Sequence, residues 1–298
     1  VTNPNSMKCI VILSSKSSGS SACQAILSRF ADVRCVAHTR HFENETLYWT
    51  KAASILGMPQ SRMLDSEVPI PKTQARRELV QLLMDNIEHF EPPGNDRDLI
   101  FQGWQALCEA YSPIFLEKSP HHLPQWSALE LILECVAKLS NVEFFFIGLV
   151  RNPMDVLYSA YTRWKTPPEK LQYEWLGSYH NLSRFASLVG ERMHVIRYED
   201  MVHDPESLSV VLSFMHGDGN YHLPSDFFHE RSINKWRKDH LYGFSLAPEV
   251  YALAREFGYA HGELHNERYR LWPLQRMIAR SAYKTLLPVA TLVEKLAR

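Results

Sequence analysis

Two stretches of this chain place anion-binding side chains at spacings that suit chemistry on a phosphate or sulfate. The first is SSKSSGSSACQ, residues 14 to 24, which follows the apolar run CIVIL (Cys9 to Leu13) and precedes Ala22, Ile26 and Phe30 at helical spacing. A strand that enters a Gly/Ser loop and then a helix presents free backbone N–H groups and the positive end of the helix dipole. Gly19 would let the backbone approach an anion, and the hydroxyls of Ser18, Ser20 and Ser21 would add donors. The nucleoside triphosphate loop GxxxxGK[ST] is absent, because Lys16 precedes the glycine and nothing basic follows it. The second stretch, FFFIGLVRNPMDVLYSAYTRW, sets Arg151 at the end of a buried strand, Ser159 two turns into the following helix and Arg163 one turn further on.

Positioning these groups requires an alternation of strands and helices. CIVIL, VRCV (33 to 36), IFLE (114 to 117), VEFFFIGLV (142 to 150) and MHVIR (193 to 197) are short apolar runs of the kind buried on both faces of a parallel sheet. Between them, Arg76 to Phe90 has Leu79, Leu82, Leu83, Ile87 and Phe90 on one helical face. A second helix carries Trp126, Leu129, Ile132, Leu133 and Val136, and a third runs from about Trp175 to Val189. Asn152 is suited to cap a helix whose first turn holds Pro153, and Asp204-Pro205 reads as another helix start. The pattern predicts an α/β protein with a central, mostly parallel sheet flanked by helices. Ligands of such sheets sit at the carboxyl ends of the strands, so the loops beginning at Ser14, Val36, Lys118, Arg151 and Tyr198 are expected to converge. The aromatic residues Phe42, Tyr48, Trp49 and Trp104 are expected to shape a substrate pocket, and Leu274 to Arg298 reads as a helix with a basic polar face.

Composition narrows the function classes. With 298 residues, 45% hydrophobic and 22% charged, the chain can bury a sizeable core, and no linker divides it, so residues 1–298 are expected to form one domain. Lys plus Arg (32) balances Asp plus Glu (33), which argues against a general nucleic-acid or membrane-surface binder and makes any anion site local. Five cysteines lie scattered without ligand spacing, so free thiols are expected. No signal-like or bilayer-length apolar segment is legible, so a cytoplasmic protein is expected unless an N-terminal anchor has been trimmed.

Taken together, the loop and the Arg151–Ser159 frame resemble sulfotransferases that use 3′-phosphoadenosine 5′-phosphosulfate (PAPS). In that family the 5′-phosphosulfate loop precedes a strand, Arg-Asp-Pro, and a serine eight residues after the arginine, which is the spacing here. FLEKSPHHL, VIRYEDMVHDP and SINKWRKD are similar to three further family segments, in the family's order, from about residue 8 to about residue 240. The pattern lies near the bacterial and tyrosylprotein sulfotransferases, which share DVRC and a following Thr-Arg. The resemblance implies a P-loop-like fold, PAPS as donor without a metal, and a small-molecule or peptidyl hydroxyl as acceptor. It implies that Lys16 and residues Ser17, Ser18, Gly19, Ser20 and Ser21 hold the 5′-phosphosulfate. Arg151, Ser159, Arg163 and Lys235 would then hold the 3′-phosphate, with Tyr198 and Trp236 bordering the nucleotide. The loop's usual cation falls at Ser17, so either Lys16 bends in to replace it or the loop binds more weakly. By the same alignment the base is His38, with Arg40 orienting it or the acceptor; His121 is the alternative base and Lys118 the leaving-group stabiliser. An imidazole of ordinary pKa near 6.5 takes a proton at neutral pH without strong tuning. Rival readings are a P-loop kinase, for which Glu117 is the one tempting metal-binding acid, and a degenerate nucleotide-binding relative.

Overall fold

A computed structural model describes residues 7–41, 43–217, 232–239, 242–266 and 278. Five strands form one parallel sheet: β1 (Met7–Ser14), β2 (Val33–Arg34), β3 (Ile114–Lys118), β4 (Val142–Val150) and β5 (Met193–Arg197), in the order β2-β3-β1-β4-β5. The helices are α1 (Ser20–Leu27), α2 (Tyr48–Ile55), α3 (Lys72–Asn86), α4 (Asp96–Ala110), α5 (Trp126–Lys138) and α6 (Pro153–Trp164). They continue with α7 (Pro168–Val189), α8 (Tyr198–His203), α9 (Ser209–His216), α10 (Lys235–Lys238), α11 (Pro248–Glu256) and α12 (His261–Leu264).

The side-chain period of two sorts each central strand between two cores. Cys9, Val11 and Leu13 of β1, with Phe144 and Phe146 of β4, face the core built by α2 to α5, α7 and α11. Ile10 and Ile12, with Phe145, Ile147 and Leu149, face the core under α1, α8 and α9. Burial on both faces is why these strands read as continuous apolar runs rather than alternating ones.

Several expected elements shift at their ends. The helix read as Arg76 to Phe90 spans Lys72–Asn86; Leu79, Leu82 and Leu83 are buried, while Ile87 and Phe90 pack beside the core from the chain that follows. VRCV pairs only at Val33 and Arg34. Asp204 starts a short 3-10 turn, Pro205–Leu208, before α9. Asn152 does cap α6, accepting from Met154 N at 2.9 Å, with Pro153 in the first turn. Tyr48, Trp49 and Trp104 do not shape a pocket: they are fully buried and stack on one another in the core, with centroids 4.7 to 5.1 Å apart. Phe42 and nearly all of the expected C-terminal helix, Leu274 to Arg298, lie outside the described residues. All five cysteines are free thiols, and Cys9, Cys23, Cys108 and Cys135 are buried. No helix among the described residues is long and apolar enough to cross a membrane.

Candidate active site

At the carboxyl ends of the strands lies a cleft of about 280 Å³. The β1–α1 loop lines one side with Lys16, Ser17, Gly19, Ser20 and Ser21; the β4–α6 segment adds Arg151, Ser159, Arg163 and Trp164. Opposite them stand His41, Glu43 and Glu45 from the chain after β2, Asp65 and Glu67 from the chain after α2, and Pro120 and His121 after β3.

The loop is built from two left-handed residues, Ser17 (φ 63°) and Gly19 (φ 88°). Gly19 is the N-terminal flanking residue of α1, and no side chain caps that helix, so its first N–H groups are left to solvent or a ligand. A methyl group on Gly19 would stand 2.2 Å from Tyr198 Cε2, so the Tyr198 ring closes the back of the loop. Arg151 braces the same loop: its Nη1 donates to Ser17 O at 2.7 Å and its Nη2 to Ser232 O at 2.6 Å. Its guanidinium lies 4.8 Å from the Tyr198 ring centroid, and its buried Nε has no partner among the described residues. Tyr198 OH shares a 2.7 Å hydrogen bond with Ser232 Oγ, so the SINKWRKD segment reaches the back of the loop through its serine.

The remaining expected positions are placed less uniformly. Ser18 is wholly buried and turns away from the cleft; its hydroxyl bonds Ser15 Oγ (2.7 Å) and Tyr179 OH (3.0 Å), while Tyr179 donates to Leu149 O. Its side chain therefore fixes the loop rather than facing a ligand. Lys16 Nζ donates to the carbonyls of Leu64 (3.2 Å) and Asp65 (2.5 Å) and lies 5.4 Å from the Trp164 ring centroid. Burial lowers its pKa, against the opposing pull of Glu174 and Asp65. Arg163 pairs with Glu43 at 2.7 Å. Lys235 is exposed on α10 and Trp236 is buried against Met154, Leu157 and Tyr242; neither lines the cleft.

His38 and Arg40 are not brought to the cleft. They line a separate surface recess, where the His38 backbone is tied to Asn86 and Arg40 Nε donates to Asp85 Oδ2 at 2.8 Å. The chain turns at Arg40 (φ 58°), and of the AHTRH segment His41 lines both the recess and the cleft, while His38 and Arg40 line the recess alone. His121 does reach the cleft, with its Nδ1 3.0 Å from Glu45 Oε2. Lys118 Nζ, fully buried, donates to Glu45 Oε1 at 3.1 Å and Glu43 O at 3.2 Å, so its charge reaches the cleft through Glu45. Burial would raise the Glu45 pKa, but His121 and Lys118 outweigh it and hold the carboxyl below the usual range.

Glu45 is thus the residue that sequence reasoning missed. It sits in HFENETLYW, whose acids match no motif spacing, and only the approach of the β3 loop gives it partners. His41 was missed for the same reason; it faces Glu67 at 3.6 Å and His121 at a centroid distance of 6.1 Å. Chemically, the cleft offers an anion cradle facing a buried carboxylate–imidazole pair.

The model of the sulfotransferase family matches residues 9–209. Among solved structures, the chain is similar to the sulfotransferase domain from the curacin biosynthetic pathway, with 21% identity and a TM-score of 0.54, covering 85% of this chain and 98% of that one. It is similar also to the sulfotransferase domain from the Synechococcus PCC 7002 olefin synthase, with 19% identity and a TM-score of 0.54, covering 87% of this chain and 98% of that one. At such identities the likeness is one of fold. No curated protein matches.

Proposed function

Since the chain belongs to the sulfotransferase family, we propose that it moves a sulfuryl group from PAPS to an acceptor hydroxyl by in-line displacement. The observation that carries this reading is the single cleft in which the uncapped start of α1, Arg151 and Ser159 face the Glu45–His121 pair. The cradle also fits the donor's anionic groups in detail. Gly19 gives the loop its left-handed turn against the Tyr198 ring, and Arg151 keeps a buried N–H without a partner among the described residues.

The donor supplies an activated sulfuryl group whose bond to the 5′-phosphate breaks as the acceptor oxygen bonds to sulfur. The chain's residues supply the rest. Backbone N–H groups of Gly19 to Ser21 and the hydroxyls of Ser20 and Ser21 hold the phosphosulfate, with Ser17 shaping the loop. Arg151 and Ser159 hold the 3′-phosphate, and Arg163 lies beside them. His121 Nε2 takes the acceptor proton; Glu45 at Nδ1 orients the ring and stabilises the cation that forms, as a carboxylate does behind a catalytic histidine. Lys118 keeps Glu45 ionised. Lys16 answers for the cation absent at Ser17 once it leaves the Leu64 and Asp65 carbonyls, a short swing for a flexible side chain. The acceptor is a small-molecule or peptidyl hydroxyl entering past His41 and Glu67.

Thermal shift with 3′,5′-adenosine bisphosphate against Mg-ATP tests the nucleotide, and labelled PAPS with panels of alcohols, phenols, sugars and peptides tests the transfer. Stabilisation by the bisphosphate and label in one acceptor class are expected. Stabilisation by Mg-ATP alone would overturn the reading in favour of phosphoryl transfer; bisphosphate binding without turnover would leave a degenerate relative.

A further inference from the structure

Each charged group of the catalytic corner has a chain neighbour that faces the other way. Thr46 follows Glu45, Glu117 and Ser119 flank Lys118, and His122 follows His121. These four neighbours meet behind the cleft, and none of them lines it. Glu117 Oε1 accepts from Thr46 Oγ1 at 2.7 Å and from Ser119 Oγ at 2.6 Å, and His122 Nε2 stands 3.4 Å from the same oxygen. The Glu117 and His122 side chains are wholly buried. Burial pushes the Glu117 pKa up, but His122 and the two hydroxyls more than offset it, so the carboxylate is ionised.

The ties extend into the loop that carries Glu45. Ser119 Oγ accepts from Leu47 N at 3.1 Å, and the buried Lys51 Nζ donates to Thr46 O at 3.1 Å. Leu47 between them is left-handed (φ 52°), a conformation disfavoured for leucine that persists where the surroundings over-determine it. A buried carboxylate–imidazole pair is a poor stabiliser, since apolar side chains of similar volume often serve as well. What it supplies here is a fixed distance between three chain segments: the loop before α2, the end of β3 and the turn after it.

We propose that Glu117 is a positioning residue for sulfuryl transfer, setting the separation of Lys118, Glu45 and His121 through Thr46, Ser119 and His122. The proposal rests on the reading of the cleft given above. It is tested with Thr46→Val, which keeps side-chain shape and removes one donor to Glu117, with Thr46→Ser, which restores that donor, and with Glu117→Gln. For each, kcat and the KM for PAPS are measured with an acceptor found in the labelled screen. Affinity for 3′,5′-adenosine bisphosphate and Tm are measured on the same preparations. Misplacement of a reacting group by about 1 Å costs roughly 100-fold, so a fall in kcat of about tenfold or more is expected for Thr46→Val and Glu117→Gln. Bisphosphate affinity should be unchanged and Thr46→Ser should recover the rate. Unchanged kcat with a lowered Tm would make the network purely structural and overturn the proposal, as would loss of rate together with bisphosphate binding. If Glu117→Gln does not fold, the Thr46 pair decides. A wild-type protein that transfers to no acceptor would instead refute the functional reading, a separate outcome.

Discussion

His121 and His38 both stand in segments that resemble family motifs, yet of the two only His121 has a carboxylate at 3.0 Å and a wall of the cleft to occupy. His38 is exposed, and its backbone rather than its ring is what the fold uses, through Asn86. Replacing His121 with Ala should therefore lower kcat by about 10²- to 10⁴-fold, the usual contribution of a general base. Affinity for 3′,5′-adenosine bisphosphate should stay as it was. His38→Ala should leave kcat unchanged, and steady-state rates with labelled PAPS decide between the two. An opposite result, with His38 essential and His121 dispensable, would return the base to the position that alignment by spacing assigns. The contrast shows what was legible at this scale. Side chains that line the cleft from a strand end or the helix after it, such as Arg151 and Ser159, could be placed from spacing alone, because regular geometry fixes their direction. The Glu45–His121 pairing could not, since it needs two irregular segments far apart in the chain to meet.

On the proposed reading, donor binding depends on the β1–α1 turn. Its path needs a left-handed residue at 19 (φ 88°) and leaves no room for a Cβ beneath the Tyr198 ring. Gly19→Ala should cost about 1 kcal/mol or more from backbone strain alone, with the 2.2 Å contact added to it. The measurable outcome is a lowered Tm together with weaker bisphosphate binding by calorimetry, because the ring or the loop must shift. Unaltered affinity would mean that the loop backbone does not hold the donor. The turn's place between β1 and α1 was readable from its glycine and its position after CIVIL. Its internal division of labour was not: Ser18, read as a ligand donor, packs its hydroxyl under the loop against Tyr179, a residue 161 positions away. A Ser-rich loop offers several equivalent hydroxyls, and only the core beneath decides which of them face inward.

Across the whole molecule, net charge is near balance (−1), so its acid response is set by individual buried carboxyls. Glu45 and Glu117 are held below the usual range: burial opposes their ionisation, but their partners outweigh it. They contribute stability that is present above the unfolded carboxylate value and lost as pH falls through their depressed folded values. Asp155, Glu174 and Glu199 are raised chiefly by burial and act in the opposite sense, destabilising when ionised and ceasing to do so as pH falls through their raised values. Burial lowers the His41 pKa, so that side chain costs stability as pH falls below the ordinary imidazole range. Urea unfolding of His41→Gln across pH should therefore show stability holding or rising on mild acidification, then falling below about pH 4, where ordinary carboxylates protonate. A steady decline from neutral pH downward in that variant would mean that the raised group does not contribute.

By itself the sequence determined the strands, most of the helices between them and the order in which the segments around Gly19 and Arg151 arrive at the cleft. Those features are local: a buried parallel strand must be apolar throughout, an amphipathic helix must repeat its apolar face, and a loop that cradles an anion needs glycine at its turn. Tertiary structure alone decided that His41 and His121 line the cleft while His38 does not, that Lys118 pairs with Glu45, and that Tyr48, Trp49 and Trp104 are core. The physical reason is that the acid and the imidazole lie on irregular chain whose direction follows from what packs behind it, and the lysine at the end of β3 meets them only there. That packing includes the buried Glu117–His122 pair, which no spacing in the sequence announces.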